Sequence, residues 1–269
     1  MPEGPEVRIT GEQLSETLRG RILTDITIND KSKHFSKKPL ALLETFKQAL
    51  PLTLLGMGVK GKKIIFFFEY NYSFVSSLGM EGKWLYEERK HSGIILSFGE
   101  FRLFYDDTRH FGELEIFNSS ESLVTRMKEV GPDLLAEDLS LETWTNIITK
   151  KGNRNKKIGS LLLDQKQLSG IGNYLRSEIL YRSRVSPWRT VGSLSQDQLT
   201  WLWYYSLLII RESYHAGGLT IRSYLSPKQE PGRYQCQVYS RSYTVEGHPV
   251  IQDKNLDGQT VWWCKELQS

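Results

Sequence analysis

Hydrophobic and polar positions follow different periods in the two halves of the chain. In the first half, short runs rich in β-branched and aromatic residues are separated by turn residues, which is typical of β-strands. This pattern predicts strands at Ile22–Ile28, Lys63–Tyr70, Ser73–Leu78, Gly93–Phe98 and Phe101–Tyr105. Two amphipathic stretches predict helices at Glu6–Leu18 and Leu40–Leu50. We therefore expect a two-sheet β domain with flanking helices over residues 1–125.

Beyond residues 131–135 (GPDLL) the apolar spacing becomes helical. It predicts helices at Leu141–Thr149, Ile158–Gln165, Gly172–Arg182 and Gln196–His215. The last helix has the signature of a capping box, because Ser195 precedes it and Gln198 follows three residues later. After Arg222 the composition changes again and indicates a loop and a β-hairpin. We expect a helical domain at residues 126–222 and a loop with a hairpin at residues 223–269.

The composition favours folded cores over disorder, since 39% of the 269 residues are hydrophobic and 12% are aromatic. The net charge of +4 is only mildly basic and does not by itself indicate nucleic-acid binding. Positive charge is concentrated in three segments, at residues 31–38, 60–63 and 150–157. One such segment is more often a solvated loop, but three of them favour phosphate binding.

Cysteine content and hydropathy bear on the compartment. Cys236 and Cys264 are too few for a disulfide scaffold and suit reduced thiols inside a cell. No apolar run reaches the ~20 residues of a membrane span, and the polar N-terminus does not match a secretory signal. We expect an intracellular protein, in the nucleus of a eukaryote and otherwise in the cytoplasm, the nucleoid or a host cell.

The N-terminal sequence MPEGPEV carries candidate chemistry. Methionine is normally removed before proline, which would leave Pro2 with a free secondary amine. An α-amino group has a pKa near ~8, so part of it is unprotonated and nucleophilic at neutral pH. Glu3 stands beside it and could donate or accept a proton. Taken alone, however, a Pro-Glu start is common and chain termini are often frayed.

Four segments, in the same order, resemble the formamidopyrimidine-DNA glycosylase/endonuclease VIII family of base-excision repair enzymes. They are MPEGPEV, VKGKKI at residues 59–64, LGMEG followed by DDTRHFG, and DQKQLSGIGNYLRSEILYR at residues 164–182. The last is the most specific, since all of it resembles the helix–two-turn–helix of that family. The resemblance implies an α+β multidomain fold: an N-terminal two-sheet β-sandwich with flanking helices, a helix–two-turn–helix domain and a C-terminal β-hairpin finger.

The resemblance also implies catalytic roles for residues of the first two segments. Pro2 matches the nucleophile of the family and Glu3 its acid/base group, while Glu6 matches a second acidic residue of the same motif. Lys62 matches a lysine that holds a phosphate beside the lesion. Without the other segments, Lys62 would be read as an ordinary surface lysine at the start of a strand.

Met80, Arg109 and Phe111 match the three residues that fill the gap left when a damaged nucleotide is turned out of the duplex. Unstacking a base costs a few kcal/mol. A flexible apolar chain, a planar cation and an aromatic ring are suited to fill that gap. Considered singly, Met80 and Phe111 would be core residues and Arg109 would belong to an ion pair.

The remaining implied contacts are with phosphates of the DNA. Gly170 and Gly172 would let the backbone turn tightly, so that Asn173 and the following helix start meet a phosphate. Glu178 matches a supporting position of the same motif. The family usually has an arginine at the hairpin position that this chain fills with Gln259, which keeps a donor but loses the charge. Nearby Lys254 and Arg241 are candidates to compensate for that loss.

The C-terminal finger departs from the four-cysteine zinc site of other family members. The template places the ligand positions at Thr244, Gly247, Cys264 and Leu267, of which only one is a thiol. A tetrahedral zinc site needs four good ligands, so we predict no zinc. The resemblance then implies a zincless finger, as in some endonuclease VIII-like members, with its hairpin held by apolar packing across the strands.

Together these features imply a bifunctional DNA glycosylase/AP lyase that works without a cofactor. It would bind duplex DNA with oxidised bases or abasic sites, form an imine at Pro2, and cleave by β,δ-elimination. Oxidised pyrimidines are the favoured substrates, with ring-opened or further-oxidised purines next. Two alternatives stay open, a non-catalytic damaged-DNA-binding protein and an 8-oxoguanine-preferring glycosylase. A monomer is expected, and binding of single-stranded or bubble DNA is left open.

Overall fold

The computed structural model describes residues 1–29, 39–220, 226–228, 230–254 and 258–269. The basic segment at residues 31–38, part of the predicted loop at residues 223–234 and the turn residue Asp257 lie outside the described residues. The chain forms two compact units. The β unit comprises Met1–Pro2, Glu6–Glu129 and the described residues of 221–232, and the helical unit comprises Glu3–Pro5, Val130–Thr220 and Arg233–Ser269. The predicted ranges 1–125, 126–222 and 223–269 stay a prediction.

The β unit contains two antiparallel sheets. Its described strands are β1 (Ile22–Leu23), β2 (Asp25–Ile28), β3 (Leu52–Lys60), β4 (Lys63–Phe68), β5 (Ser73–Ser77), β6 (Lys83–Leu85), β7 (Ser92–Phe98), β8 (Phe101–Asp106) and β9 (Glu113–Phe117). One sheet has the order β1–β3–β4–β5–β9 and the other the order β2–β7–β8–β6. The predicted two-sheet architecture is therefore confirmed.

Inward-facing side chains of the two sheets share one hydrophobic core. At its centre Trp84 packs edge-on against Phe66 and Phe74, with ring centroids 5.5 and 6.1 Å apart. Edge-to-face contacts of this kind add to the stabilisation that comes from burying the rings. Among the described residues, the helices that belong wholly or mostly to this unit are α1 (Gly4–Leu18), α2 (Leu43–Ala49) and α3 (Ser120–Met127).

The strand prediction differs from the structure in two ways. The run Ile22–Ile28 is two strands, because Ile22–Leu23 pairs with β3 whereas Asp25–Ile28 pairs with β7 in the other sheet. The alternating pattern also misses β3, β6 and β9. In β3 the glycines and a bulge between Leu54 and Gly56 interrupt the alternation of apolar and polar residues.

The helical unit contains α4 (Leu141–Ile148), α5 (Ile158–Leu161), α6 (Asn173–Arg182) and α7 (Gln196–His215). The capping box at the start of α7 is confirmed, with both the Ser195 and the Gln198 side chains bonded to backbone. The predicted helix Ile158–Gln165 is shorter in the structure. Its continuation turns at Asp164, whose side chain accepts from the Lys166 backbone N–H and competes with helical bonding.

A hairpin of β10 (Ile251–Lys254) and β11 (Thr260–Trp263) forms the C-terminal part of the helical unit. Ile251 is paired with Trp263 and Lys254 with Thr260. A small core of Tyr181, Val238 and Cys264 lies against it and joins the end of α6 to the hairpin segment. Across the described ranges, none of the helices has the length and apolar character needed to cross a membrane.

Candidate functional site

The Glu3 carboxylate lies at the first turn of α6 and is 1% exposed. It accepts hydrogen bonds from the backbone N–H groups of Gly172 (2.7 Å), Tyr174 (2.8 Å) and Leu175 (3.2 Å). The first N–H groups of a helix lack partners inside the helix, and the helix dipole favours an anionic group at this end. Glu3 therefore acts as the cap of α6 although it is far away in sequence.

Gly172 is required for this arrangement because the Glu3 side chain occupies the space of a β-carbon. A Cβ at Gly172 would lie 2.3 Å from the Cδ atom of Glu3. The adjacent backbone is also close, since the Gly4 N–H donates to the carbonyl oxygen of Gly170 at 2.8 Å. Gly170 has a φ of +99°, which favours glycine. Glycine is thus required at the two predicted turn positions for different reasons, a clash with Glu3 at Gly172 and a positive φ at Gly170.

Pro2 is buried and is joined to Glu3 by the peptide bond, so its nitrogen is one residue from the capped carboxylate. Glu6 is also buried, and its carbonyl oxygen accepts a hydrogen bond from the Thr10 hydroxyl at 2.8 Å. Lys62 is partly exposed and lies in the two-residue turn between β3 and β4, just ahead of the strand. Gly61 in the same turn has a φ of +58°.

The predicted gap-filling residues lie on two loops of the β unit that touch each other. A Cβ at Gly79 would lie 2.6 Å from the carbonyl oxygen of Phe111, so Met80 is held next to the second loop. The Arg109 guanidinium lies 5.2 Å from the centroid of the Phe111 ring. Phe111 is 55% exposed and Met80 is 37% exposed. These apolar side chains are therefore displayed on the surface instead of lying in the core.

A buried aspartate that the sequence did not single out holds the second of these loops. Asp107 accepts from the backbone N–H groups of Arg109 (3.1 Å) and His110 (3.0 Å) through Oδ1, and of Gly112 (2.7 Å) through Oδ2. It is 3% exposed. The sequence DDTRHFG could have indicated this role of Asp107, because an Asp side chain commonly accepts hydrogen bonds from backbone N–H groups a few residues later.

The predicted phosphate-contact residues lie around the start of α6 and the hairpin. Asn173 is the first residue of α6 and is partly exposed. Its Oδ1 atom accepts a hydrogen bond from Arg176, and the same Arg176 nitrogen donates to the carbonyl oxygen of Thr260 at 3.1 Å. Exposed Gln259 directly precedes Thr260. Arg241 is exposed and bonds the carbonyl oxygen of Cys236 at 2.8 Å.

Glu178 is fully buried and binds the segment that leads to the hairpin. It accepts from the backbone N–H groups of Gln237 (2.7 Å), Val238 (2.9 Å) and Tyr239 (2.9 Å). Burial raises the pKa of the Glu178 carboxyl above its usual value, and the three backbone donors oppose that shift. Glu178 thus joins α6 to the C-terminal segment, a role that the sequence motif left unspecified.

At three of the positions where the family template places zinc ligands, the side chains bind or pack against other protein atoms. The Thr244 hydroxyl accepts from the backbone N–H groups of Glu246 (3.2 Å) and His248 (3.1 Å). Cys264 and Leu267 pack in the small core beside the hairpin. Within the described ranges, no cluster of three His, Cys, Asp or Glu side chains could hold a metal ion. A metal-free finger stays a prediction.

Comparisons with known proteins cover most of the chain. Residues 1–114 match the family model of the formamidopyrimidine-DNA glycosylase N-terminal domain, and residues 130–224 match that of the formamidopyrimidine-DNA glycosylase H2TH domain. Two similar curated proteins are both named formamidopyrimidine-DNA glycosylase. The one from Cytobacillus firmus is 33% identical over 90% of this chain and 89% of its own length. The one from Streptococcus pneumoniae serotype 4 is 30% identical over 100% and 99%.

Solved structures resemble the fold over nearly its whole length. The Lactococcus lactis Fpg, in a complex with DNA that contains an abasic site, has a TM-score of 0.87 at 25% identity, with 99% of both chains covered. The MutM (Fpg) protein of Thermus thermophilus has a TM-score of 0.86 at 27% identity, with 99% of this chain and 98% of that chain covered.

Proposed function

This chain belongs to the formamidopyrimidine-DNA glycosylase family, and we propose that it excises oxidised bases and cleaves the strand through an imine at Pro2. As a member it is a DNA N-glycosylase and AP lyase of base-excision repair, which acts on DNA with lesions or abasic sites. The endonuclease VIII branch stays a prediction, since the similar proteins above carry the formamidopyrimidine-DNA glycosylase name.

The proposed reaction begins at the amine of Pro2 after removal of Met1. The nitrogen attacks C1′ of the sugar, the bond from C1′ to the base breaks, and the base leaves with the bonding electron pair and takes up a proton from water. The Glu3 carboxylate takes the proton that the Pro2 nitrogen loses and delivers it to the ring oxygen, so that the bond from C1′ to the ring oxygen breaks, the sugar opens and an iminium forms at C1′. Successive β- and δ-eliminations then break the C3′–O and C5′–O bonds, and water releases Pro2.

The observation that carries this proposal is the position of Glu3. Its carboxylate is buried and held by three backbone donors, and the residue directly follows the proposed nucleophile Pro2 in the chain. A group fixed in this way keeps one orientation relative to a bound sugar, which is what proton transfer requires. A glutamate that only frayed at a terminus would not be enclosed by the first turn of a helix.

The proposed DNA contacts divide into positioning and gap filling. Lys62, Asn173, Gln259 and Arg241 would bind phosphates, which fix the register of the protein on the duplex. The exposed side chains of Met80, Arg109 and Phe111 would enter the duplex where the damaged nucleotide leaves it. The exposure of the apolar Met80 and Phe111 side chains supports this role, because apolar side chains on a surface commonly mark a contact.

The favoured substrates are oxidised pyrimidines, followed by ring-opened or further-oxidised purines. Gly4 supports this preference, because the 8-oxoguanine-preferring branch more often has leucine there. The 8-oxoguanine-preferring branch has the same gap-filling set as Met80, Arg109 and Phe111. This likeness favours the second candidate, an 8-oxoguanine-preferring enzyme. Single-turnover excision from matched duplexes that carry one oxidised pyrimidine, one ring-opened purine or 8-oxoguanine decides between the two. Faster removal of 8-oxoguanine would reverse the assignment.

The imine is tested by borohydride trapping of the full chain on DNA with an abasic site. A covalent adduct is expected for the processed protein, and it should be lost when Met1 is retained or when Pro2→Gly weakens the nucleophile. Lys90→Ala removes an exposed amine outside the three basic segments and should leave trapping unchanged. Tight binding to the same DNA without any adduct would instead favour the non-catalytic binder, and Gln259 would then mark a lost phosphate clamp.

A further inference from the structure

Arg176 is a fully buried arginine in the middle of α6. Burying a charged group is costly unless its hydrogen bonds are satisfied. Its guanidinium donates hydrogen bonds to Oδ1 of Asn173 (2.5 Å), the carbonyl oxygen of Thr260 (3.1 Å) and the carbonyl oxygen of Gly159 (3.2 Å). The guanidinium is therefore fixed directly behind the Asn173 side chain.

The bond to Arg176 fixes which end of the Asn173 amide faces outward. A guanidinium has donors only, so the amide must present its oxygen to it. The amide nitrogen is then the end of the side chain that does not bind Arg176, and the residue is partly exposed. An amide that was not held could present either end to a phosphate, and its oxygen would repel the phosphate. Arg176 thus converts Asn173 into a pure donor at the start of the helix.

The same guanidinium also fixes the hairpin strand beside Asn173. One nitrogen, Nη2, bonds both the Asn173 side chain and the Thr260 carbonyl oxygen, and Gln259 is the next residue back along the strand. The two neutral phosphate-contact candidates of this unit are therefore held on one cation. This matters because Gln259 lacks the charge that the family usually supplies at that position.

We propose that Arg176 is a positioning residue for phosphate binding, which orients the Asn173 amide and fixes the hairpin strand that carries Gln259. This role of Arg176 rests on the proposed function of Asn173 in DNA binding. Arg176 acts from behind the surface and need not touch the DNA.

The first test uses Asn173→Asp, which has the same shape. Its carboxylate keeps the hydrogen bond with Arg176, but an anionic oxygen replaces the outward amide nitrogen. Affinity for duplex DNA with a tetrahydrofuran abasic-site analogue should fall at least ~10-fold, as expected for a lost charge-assisted contact. The thermal unfolding midpoint should stay close to wild type. Unchanged affinity, or a loss matched by unfolding, would overturn the proposal.

The second test is a double-mutant cycle with Arg176→Lys and Asn173→Ala, measured by the same binding assay. Lysine keeps the charge but cannot bond all three oxygen atoms. If Arg176 acts through Asn173, the double variant should bind about as weakly as the weaker single variant, whereas independent effects would multiply. Multiplying effects, or Arg176→Lys within ~2-fold of wild type, would contradict the inference.

Two controls separate this inference from general destabilisation and from the proposed chemistry. Arg182→Lys changes an arginine at the other end of α6, where it pairs with Glu212, and should leave affinity unchanged. If it weakens binding as much as Arg176→Lys does, the specific role of Arg176 is refuted. The tetrahydrofuran analogue forms no imine, so binding results stand even if trapping at Pro2 fails.

Discussion

Two buried carboxylates, Asp107 in the β unit and Glu3 in the helical unit, each accept hydrogen bonds from three backbone N–H groups. Asp107 bonds residues two to five positions away, whereas Glu3 bonds residues 169 to 172 positions away. The first holds a loop so that other side chains project outward. The second holds a helix start and is itself the proposed reactive group.

This difference shows that a buried carboxylate bonded to three backbone N–H groups can serve two purposes. It can hold a loop so that other side chains are exposed, or it can orient a reactive group. Around Asp107 the outward side chains of Arg109 and Phe111 are exposed, and the carboxylate has only to stay in place. Glu3 directly follows the proposed nucleophile Pro2 in the chain, so the orientation and protonation of its carboxylate matter as well as its position. Substitutions should therefore affect the reaction strongly at Glu3 and gap filling selectively at Asp107.

The largest expected effect is that of Glu3→Gln. Single-turnover base excision should fall by ~10²- to 10⁴-fold, the usual contribution of a positioned acid or base. Binding to the tetrahydrofuran analogue should change far less, because phosphate contacts do not use Glu3. Excision at the wild-type rate would remove Glu3 from the mechanism and leave it a helix cap alone.

Gly172→Ala tests whether the orientation of Glu3 matters apart from its acidity. The added Cβ would lie 2.3 Å from Cδ of Glu3 and must displace the carboxylate. Excision should fall by about 10²-fold, as expected for a displacement of about 1 Å. Gly152→Ala is the matched control, since a Cβ there meets no atom within 4 Å. Equal effects of the two variants would argue against a steric cause.

Asp107→Asn should impair gap filling more than the chemical steps. Asparagine has one acceptor oxygen, so at least one backbone N–H would lose its carboxylate partner, at a cost of about 1–3 kcal/mol in the free energy of unfolding. Excision from intact duplex should slow more than cleavage at a preformed abasic site, because only the former needs base extrusion. Asp25→Asn, an exposed control, should alter neither. Equal slowing of both steps would place Asp107 in the chemistry.

A smaller effect concerns stability against pH at Glu178. Burial raises its pKa above the ordinary value of 4.5. For an acid whose folded-state pKa is raised, stability falls as the pH rises from the unfolded value through the folded one. The free energy of unfolding of wild type, relative to Glu178→Gln, should therefore decline as the pH rises above about 4. Urea unfolding measures this difference, and a rise with pH would reverse the assigned shift.

The smallest effect, of opposite sign, is expected at Glu115. Burial alone would raise its pKa, but hydrogen bonds and charge from Arg126 and Lys63 lower it below 4.5. Stability from this cluster should be present above the unfolded value and be lost as the pH falls through the lowered one. Glu115→Gln should remove that acid-side loss in urea unfolding. Identical pH profiles for the two proteins would show that the cluster contributes nothing.

The sequence predicted the features that depend on nearby residues. The capping box at Ser195 and Gln198, the main strands and the helices of the second half depend on spacing within a few residues. The Asp107 loop belongs to the same class and could have been found in DDTRHFG. By contrast, no local rule pairs Glu3 with residues 172–175, and only the family resemblance placed them in one site.

Arg176 shows why the rest of the site could not be predicted. Residues 174–181 of α6 are all buried, so the helix has no apolar and polar faces that would mark an unusual position. An arginine in such a helix looks like a surface residue until its three oxygen partners are known. Those partners come from α5, from α6 itself and from β11, which are far apart along the chain.

The distance in sequence between Glu3 and its partners also has a consequence for synthesis on the ribosome. The chain emerges from its N-terminus, so Pro2 and Glu3 exist long before Gly172 is made. Contacts between such distant residues form late, after the intervening segments have folded. A nascent or truncated chain would carry the amine without a fixed acid beside it. Strand-cleaving competence would thus be withheld from incomplete molecules.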